Sequence, residues 1–126
     1  QDCMQLNVGL IRVEKELLQA LDVIASLKAR LENVSVPGSR QYNPGWHMAL
    51  DLHNMLRVAE CCTLAAMERK ESRGGHTRDD YPATEADWGK WNIVIRPARD
   101  GELTLVKEPL PQMPPDLQEL FQEEAH

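Results

Sequence analysis

Asn43-Pro44-Gly45-Trp46-His47-Met48-Ala49-Leu50-Asp51-Leu52-His53-Asn54-Met55-Leu56-Arg57-Val58-Ala59-Glu60-Cys61-Cys62-Thr63-Leu64-Ala65-Ala66 is the stretch on which the fold turns. Met48, Leu52, Met55, Ala59, Cys62 and Ala66 recur at spacings of four and three, the seam of a helix that packs on other helices. Leu56, Val58, Cys61, Leu64 and Ala65 widen the apolar surface beyond one stripe, which predicts a helix buried between neighbours. Ala59, Ala65 and Ala66 are small enough to let those neighbours approach closely. Asn43 is suited to cap the free N–H groups at the start, and Pro44 fits a first helical position that needs no donor. Arg69 and Lys70 fall where a helix C-terminus favours cations, and Gly74-Gly75 is predicted to end the helix in a left-handed turn.

Upstream, Leu10, Val13, Leu17, Leu21, Ile24, Leu27 and Leu31 also recur at threes and fours, which predicts a helix over Val13–Asn33. Gly9 interrupts the pattern, so Gln1–Val8 is expected to be a shorter helical piece. Pro37-Gly38 ends the long helix and opens a loop. Downstream, Thr84-Glu85-Ala86-Asp87 has the form of a capping box over a short helical turn carrying Trp88 and Trp91. Asn92–Arg96 and Glu102–Lys107 alternate in polarity about Asp100-Gly101, the pattern of a β-hairpin. The run from Pro109 to Pro115 predicts an extended tail, and Asp116–Glu124 a terminal helical turn or two with Leu117, Leu120 and Phe121 on one side. The expectation is one mainly α domain: a helical bundle over about 1–72, a loop and hairpin over about 73–108, and a tail over 109–126.

Charge narrows the functions. With 14 Lys and Arg against 20 Asp and Glu the net charge is −6, a poor match to nucleic acid, which needs a basic face. No apolar run reaches the roughly 18 residues that span a bilayer, and Gln1-Asp2-Cys3 does not open a secretory signal. The absence of an initiator Met points to a piece of a longer chain. Cys3, Cys61 and Cys62 have neither disulfide-framework nor zinc spacing and read as reduced thiols of a cytosolic protein. On a helix Cys61 and Cys62 point two ways and are expected to be small buried hydrophobes. His47 and Asp51, four apart, lack a third ligand for a metal. No Gly-x-Gly-x-x-Gly or P-loop occurs, so no dinucleotide or nucleotide site is expected in this chain.

The densest chemistry lies at Glu71-Ser72-Arg73-Gly74-Gly75-His76-Thr77-Arg78-Asp79-Asp80-Tyr81-Pro82. Ser72, His76 and an Asp are no triad on adjacency alone, and the strand–Gly-x-Ser-x-Gly–helix context of a nucleophile elbow is missing. Arg73 and Arg78 flank a tight turn, and their planar forks suit carboxylates and carbonyls on another surface. The residues leave two readings open, a solvated charged turn or an interface.

From Ala65 to Pro82 the sequence resembles the C-terminal domain of succinate dehydrogenase and fumarate reductase flavoprotein subunits, which carry an Ala-Ala-x-x-Arg-x-Glu-Ser-Arg-Gly-x-His-x-Arg-x-Asp signature at this junction. Leu52–Glu60 is similar to the helix before that signature, and Trp88–Lys107 to the segment after it. The resemblance implies a spectrin-repeat-like three-helix bundle whose first helix is truncated here, packed on a flavin domain that holds FAD. It implies a partner iron–sulfur subunit, interconversion of succinate and fumarate with electrons passed to quinone, and a place at the cytoplasmic face of a membrane through partner subunits. It carries no catalytic, cofactor or metal residue onto this chain. Docking is expected of Ser72, Arg73, His76, Arg78, Asp80 and Tyr81, and self-association of the isolated piece through its uncovered helix seam. The alternatives are the matching domain of L-aspartate oxidase or adenylylsulfate reductase, and a free-standing helical adaptor.

Overall fold

The computed structural model describes residues 1–99 and 101–118. The two periodic stretches form two long helices, α2 (Glu14–Leu31) and α3 (Pro44–Glu68), after a short α1 (Asp2–Asn7). Asn43 caps α3 as its sequence predicts: its Oδ1 accepts from the Gly45 amide at 3.0 Å, and its Nδ2 donates to the Pro37 carbonyl at 2.9 Å. One residue thus ends the loop and starts the helix. α2 and α3 run antiparallel, and Lys28 pairs with Glu60 across them. Val8, Leu17, Ala20 and Ala66 are buried together where α1, α2 and α3 meet, with Cys3, Met4 and Met67 around them. The Thr63 hydroxyl, fully buried, donates to the Ala59 carbonyl at 2.8 Å and faces Met4 Sδ.

Two strands that periodicity did not reveal tie the loop to the start of the chain. β1 (Ile11–Arg12) pairs in parallel with β2 (Thr77–Arg78), through Thr77 N to Leu10 O at 3.3 Å and Asp79 N to Arg12 O at 3.0 Å. Leu10 therefore lies outside α2 and is 75 % exposed, where its spacing placed it on the apolar helix face. The hairpin forms as expected and is longer, β3 (Trp91–Pro97) against β4 (Leu103–Pro109) in antiparallel register, with Gly101 at φ +84° in the turn. Lys107 joins it to α3 through Glu68 at 2.9 Å.

Several expectations give way to tertiary contacts. α3 is not buried on all sides: Thr63 and Ala66 are its buried residues, while Met48, Met55 and Val58 are exposed. A 25-residue helix is about 37 Å long, and the six-residue α1 covers only its C-terminal end. Cys61 is half-buried and Cys62 exposed for the same reason. α3 ends at Glu68, with Arg69 already extended, so Gly74 (φ +57°) does not cap it. Thr84 caps no helix either: its hydroxyl donates to the Ser72 carbonyl at 2.6 Å, and Ala86–Lys90 is a 3₁₀ turn. Trp91 begins β3 instead of lying in that turn. Residues 115–118 are helical, and the predicted terminal positions Leu120 and Phe121 fall outside the described residues. No helix among the described residues is long and apolar enough to cross a membrane.

Candidate functional site: the arginine loop after the second long helix

The chain leaves α3 extended at Arg69 and makes a tight reversal, in which Arg73 and His76 exchange backbone hydrogen bonds at 2.8 and 3.0 Å around Gly74. This turn is where the glycines act, since φ +57° strains any residue with a Cβ. Ser72 then staples the loop. Its hydroxyl accepts from the Arg78 amide at 2.8 Å and donates to the Tyr81 carbonyl at 2.9 Å. Among the described residues Ser72 makes no hydrogen bond to His76, whose Nε2 donates to the Arg69 carbonyl.

Two buried ion clusters fix the geometry. Glu71, fully buried, receives Arg69 Nη1 at 2.6 Å and Arg73 Nε at 3.0 Å on Oε1, and Arg73 Nη2 at 3.2 Å and the Glu85 amide at 2.9 Å on Oε2. These donors, Arg73 first, hold its carboxyl down at about 2. Arg78, equally buried, grips Asp80 with a two-bond fork, both at 2.7 Å, while its Nη1 donates to the Ala66 and Met67 carbonyls at 2.9 and 3.2 Å. Asp80 also accepts from the Glu14 amide at 2.9 Å. The Arg78 fork keeps the Asp80 carboxyl at about 2. The pair thus places a cation on the free carbonyls ending α3 and an anion on a free N–H starting α2, the charges that both helix ends favour.

His76 is held in one tautomer. Its Nδ1 accepts from Arg12 Nη1 at 2.6 Å, and its Nε2–H donates to the Arg69 carbonyl at 3.0 Å. Burial first, and then Arg12, Arg78 and Arg69, push its pKa below the usual imidazole value. Tyr81 lies under the Arg78 guanidinium at 4.9 Å and the Lys70 ammonium at 5.8 Å. Trp88 is flanked by Arg69 at 5.3 Å and Lys107 at 4.2 Å. Gly89 makes room for Arg73, whose Nη2 would lie 3.2 Å from an added Cβ.

The six residues singled out from sequence therefore converge. Ser72, Arg78 and Asp80 use their polar atoms inside the domain, as Arg73 and His76 also do, and Arg73 (42 % exposed side chain), His76 and Tyr81 keep part of their surface open. Sequence reasoning passed over Arg12, Glu71 and Glu85, which complete the site. Arg12 carried a faint signal, as a lone cation within Val8–Val13; the roles of Glu71 and Glu85 were hidden among like charges. The described residues hold no cluster of His, Cys, Asp and Glu able to take a metal, His47 and Asp51 included.

A family model described as Fumarate reductase flavoprotein C-term matches residues 1–119. The fumarate reductase flavoprotein subunit of Helicobacter pylori is 32% identical over 109 residues, 85% of this chain and 15% of that protein. The succinate dehydrogenase flavoprotein subunit of Coxiella burnetii is 33% identical over 95 residues, 74% of this chain and 16% of that protein. Among solved structures, Mycobacterium smegmatis Sdh1 in complex with UQ1 superposes with a TM-score of 0.87 at 45% identity, over 98% of this chain and 21% of that one. The E. coli quinol fumarate reductase FrdA bearing the E245Q mutation gives 0.79 at 26% identity, over 90% and 20%. The chain thus spans about a sixth of the length of the curated relatives it matches. With its helices, its hairpin and its arginine loop all inside the matched region, the chain belongs to the C-terminal domain family of succinate dehydrogenase and fumarate reductase flavoprotein subunits.

Proposed function

We propose that this chain is the helical C-terminal domain of a flavoprotein that interconverts succinate and fumarate, and that its arginine loop is the docking face toward the rest of that enzyme. The observation that carries the reading is the loop itself. Its core is locked by Glu71 and by the Arg78–Asp80 fork, and parts of Arg73, His76 and Tyr81 stay exposed, a polar and aromatic surface suited to another protein. Ser72, Arg78 and Asp80 act in docking by holding that surface in shape. Family membership supports the activity, since the relatives are named for fumarate reduction and succinate dehydrogenation.

In this reading α1, α2 and α3 form a spectrin-repeat-like three-helix bundle whose first helix is represented by its last turns. FAD belongs to a separate flavin-binding part. The residues here do not fit a dinucleotide cradle, because the Gly74-Gly75 turn leads into β2 and not into a helix N-terminus that would face a pyrophosphate. An iron–sulfur partner and membrane-anchored subunits would carry electrons to quinone at the cytoplasmic face, and the chain alone would self-associate.

The test is Arg73→Ala in the intact flavoprotein. We expect assembly with the partner subunits, or flavin retention, to fall about tenfold, the effect of losing roughly 1.4 kcal/mol of a charge-assisted contact, while far-UV circular dichroism of this domain is unchanged. Normal assembly with full flavin content would overturn the docking role.

A further inference from the structure

The four arginines of the loop region are not equivalent. Arg69 and Arg73 share Glu71, and Arg78 holds Asp80. Arg12 has no carboxylate among the described residues. Its contacts are His76 Nδ1, at 2.6 Å from Nη1, and the Val8 carbonyl, at a long 3.4 Å from Nε. A guanidinium carries five N–H donors, and both on Nη2 are left without an acceptor here. The side chain is half-buried, so part of its hydration is gone without an opposite charge in return, a costly arrangement for an ion. Burial accordingly lowers the Arg12 pKa, and nearby Arg78 lowers it further.

The surroundings specify what is missing. Because His76 Nε2 donates to the Arg69 carbonyl, Nδ1 must accept, and Arg12 is held through Nε and Nη1 with both N–H groups of Nη2 unbonded. Asp80 takes the helix N-terminal amide at Glu14. The unbonded Nη2, beside the remaining N–H of Nη1, presents donors in one plane, which matches one planar carboxylate.

We propose that Arg12, oriented by His76, is a carboxylate-binding site, whose remaining N–H donors on Nη1 and Nη2 take a two-bond pair with one carboxylate supplied from outside this domain. The carboxylate is either an acidic side chain of an abutting protein surface or a free small carboxylate. The site rests on Arg12 and His76 and is independent of whether Arg73 docks.

The experiment is a titration of the chain with acetate, with glutamate blocked at both backbone ends, with succinate and with inorganic phosphate, chloride holding ionic strength constant. The Arg12 Nε–H and His76 ring signals are followed by NMR. Saturable shifts centred on Arg12, with a dissociation constant on the order of millimolar, are expected for the carboxylates. Equal binding of acetate, blocked glutamate and succinate marks a protein side chain as the source. Succinate tighter by more than about tenfold marks a free dicarboxylate. Arg12→Gln should abolish saturation, Arg12→Lys should weaken it several-fold by losing the fork, and Arg40→Gln, exposed beside Trp46 at the start of α3, should leave it unchanged. Absence of saturable shifts at Arg12, tighter binding of phosphate, or undiminished binding by a folded Arg12→Gln or Arg12→Lys chain overturns the proposal. If Arg12→Gln does not fold, the titration of the unsubstituted chain and of Arg12→Lys decides.

Discussion

The Arg78 guanidinium is where one side chain does most for this fold. It is fully buried, takes two carbonyls at the end of α3, and through Asp80 reaches the first amide of α2. Arg78→Met removes the cation and strands Asp80 and those carbonyls. Breaking a buried pair from one side costs about 3–5 kcal/mol, so equilibrium urea unfolding should show a loss of that order, with Arg78→Lys recovering only part of it. The titrating groups set a pH trend of definite sign. Glu71 and Asp80 are held at about 2, below ordinary values of 4.5 and 3.8, so their contribution is complete above those values and is lost as pH falls toward 2. His76 is also depressed, below 6.5, so the unfolded chain takes up its proton first and stability declines as pH drops through that value. The urea midpoint should therefore fall in two stages, gently below 6.5 and steeply below 4.5. His76→Gln should remove the first stage, and a flat profile from pH 7 to 3 would contradict the assigned pairing. The types of these residues were plain in the sequence. Their pairing was not, because eight charges in thirteen positions allow many partners and only the turn at Gly74 selects among them.

At the scale of elements, local signals served well wherever an element satisfies itself. Asn43-Pro44 announced the start of α3, and Asn43→Ala, which loses both the cap and the link to Pro37, should cost about 1 kcal/mol and at most about 2. A thermal-unfolding midpoint within a degree of the parent would show that the cap is dispensable. The hairpin was legible from alternation and from the Asp100-Gly101 turn signal for similar reasons. β1 and β2 were illegible, since two residues carry no period and their pairing spans 66 positions of chain. The end of α3 was misplaced because its carbonyls are capped from Arg78, ten residues beyond Glu68, and not by the residues next to it.

Across the whole molecule the apolar bookkeeping is incomplete, and that has a consequence. Met48, Leu50, Met55 and Val58 of α3 are 52–69 % exposed, and a groove of about 400 Å³ runs between α2 and α3 beside Leu27, Leu31, Leu52 and Leu56. Covering about 400 Å² of such surface at ~25 cal/mol per Å² offers roughly 10 kcal/mol, against about 4–15 kcal/mol for association. The two nearly cancel, which predicts weak self-association at high concentration. Sedimentation velocity should show a mean mass rising with loading, and Met55→Glu together with Val58→Glu should suppress it. A clean monomer at every concentration would refute it.

The sequence by itself determined the two long helices, the cap between them, the hairpin and the family, because each rests on periodicity, turn chemistry or a contiguous signature within one short stretch. Only the tertiary structure decided which charges meet. Arg78 with Asp80 and the α3 carbonyls, Glu71 with Arg69 and Arg73, and Arg12 with His76 are settled by where the backbone brings them once β1 lies beside β2. Ion pairs have no period, and their partners are chosen by distance and burial, quantities that exist only after the chain has folded.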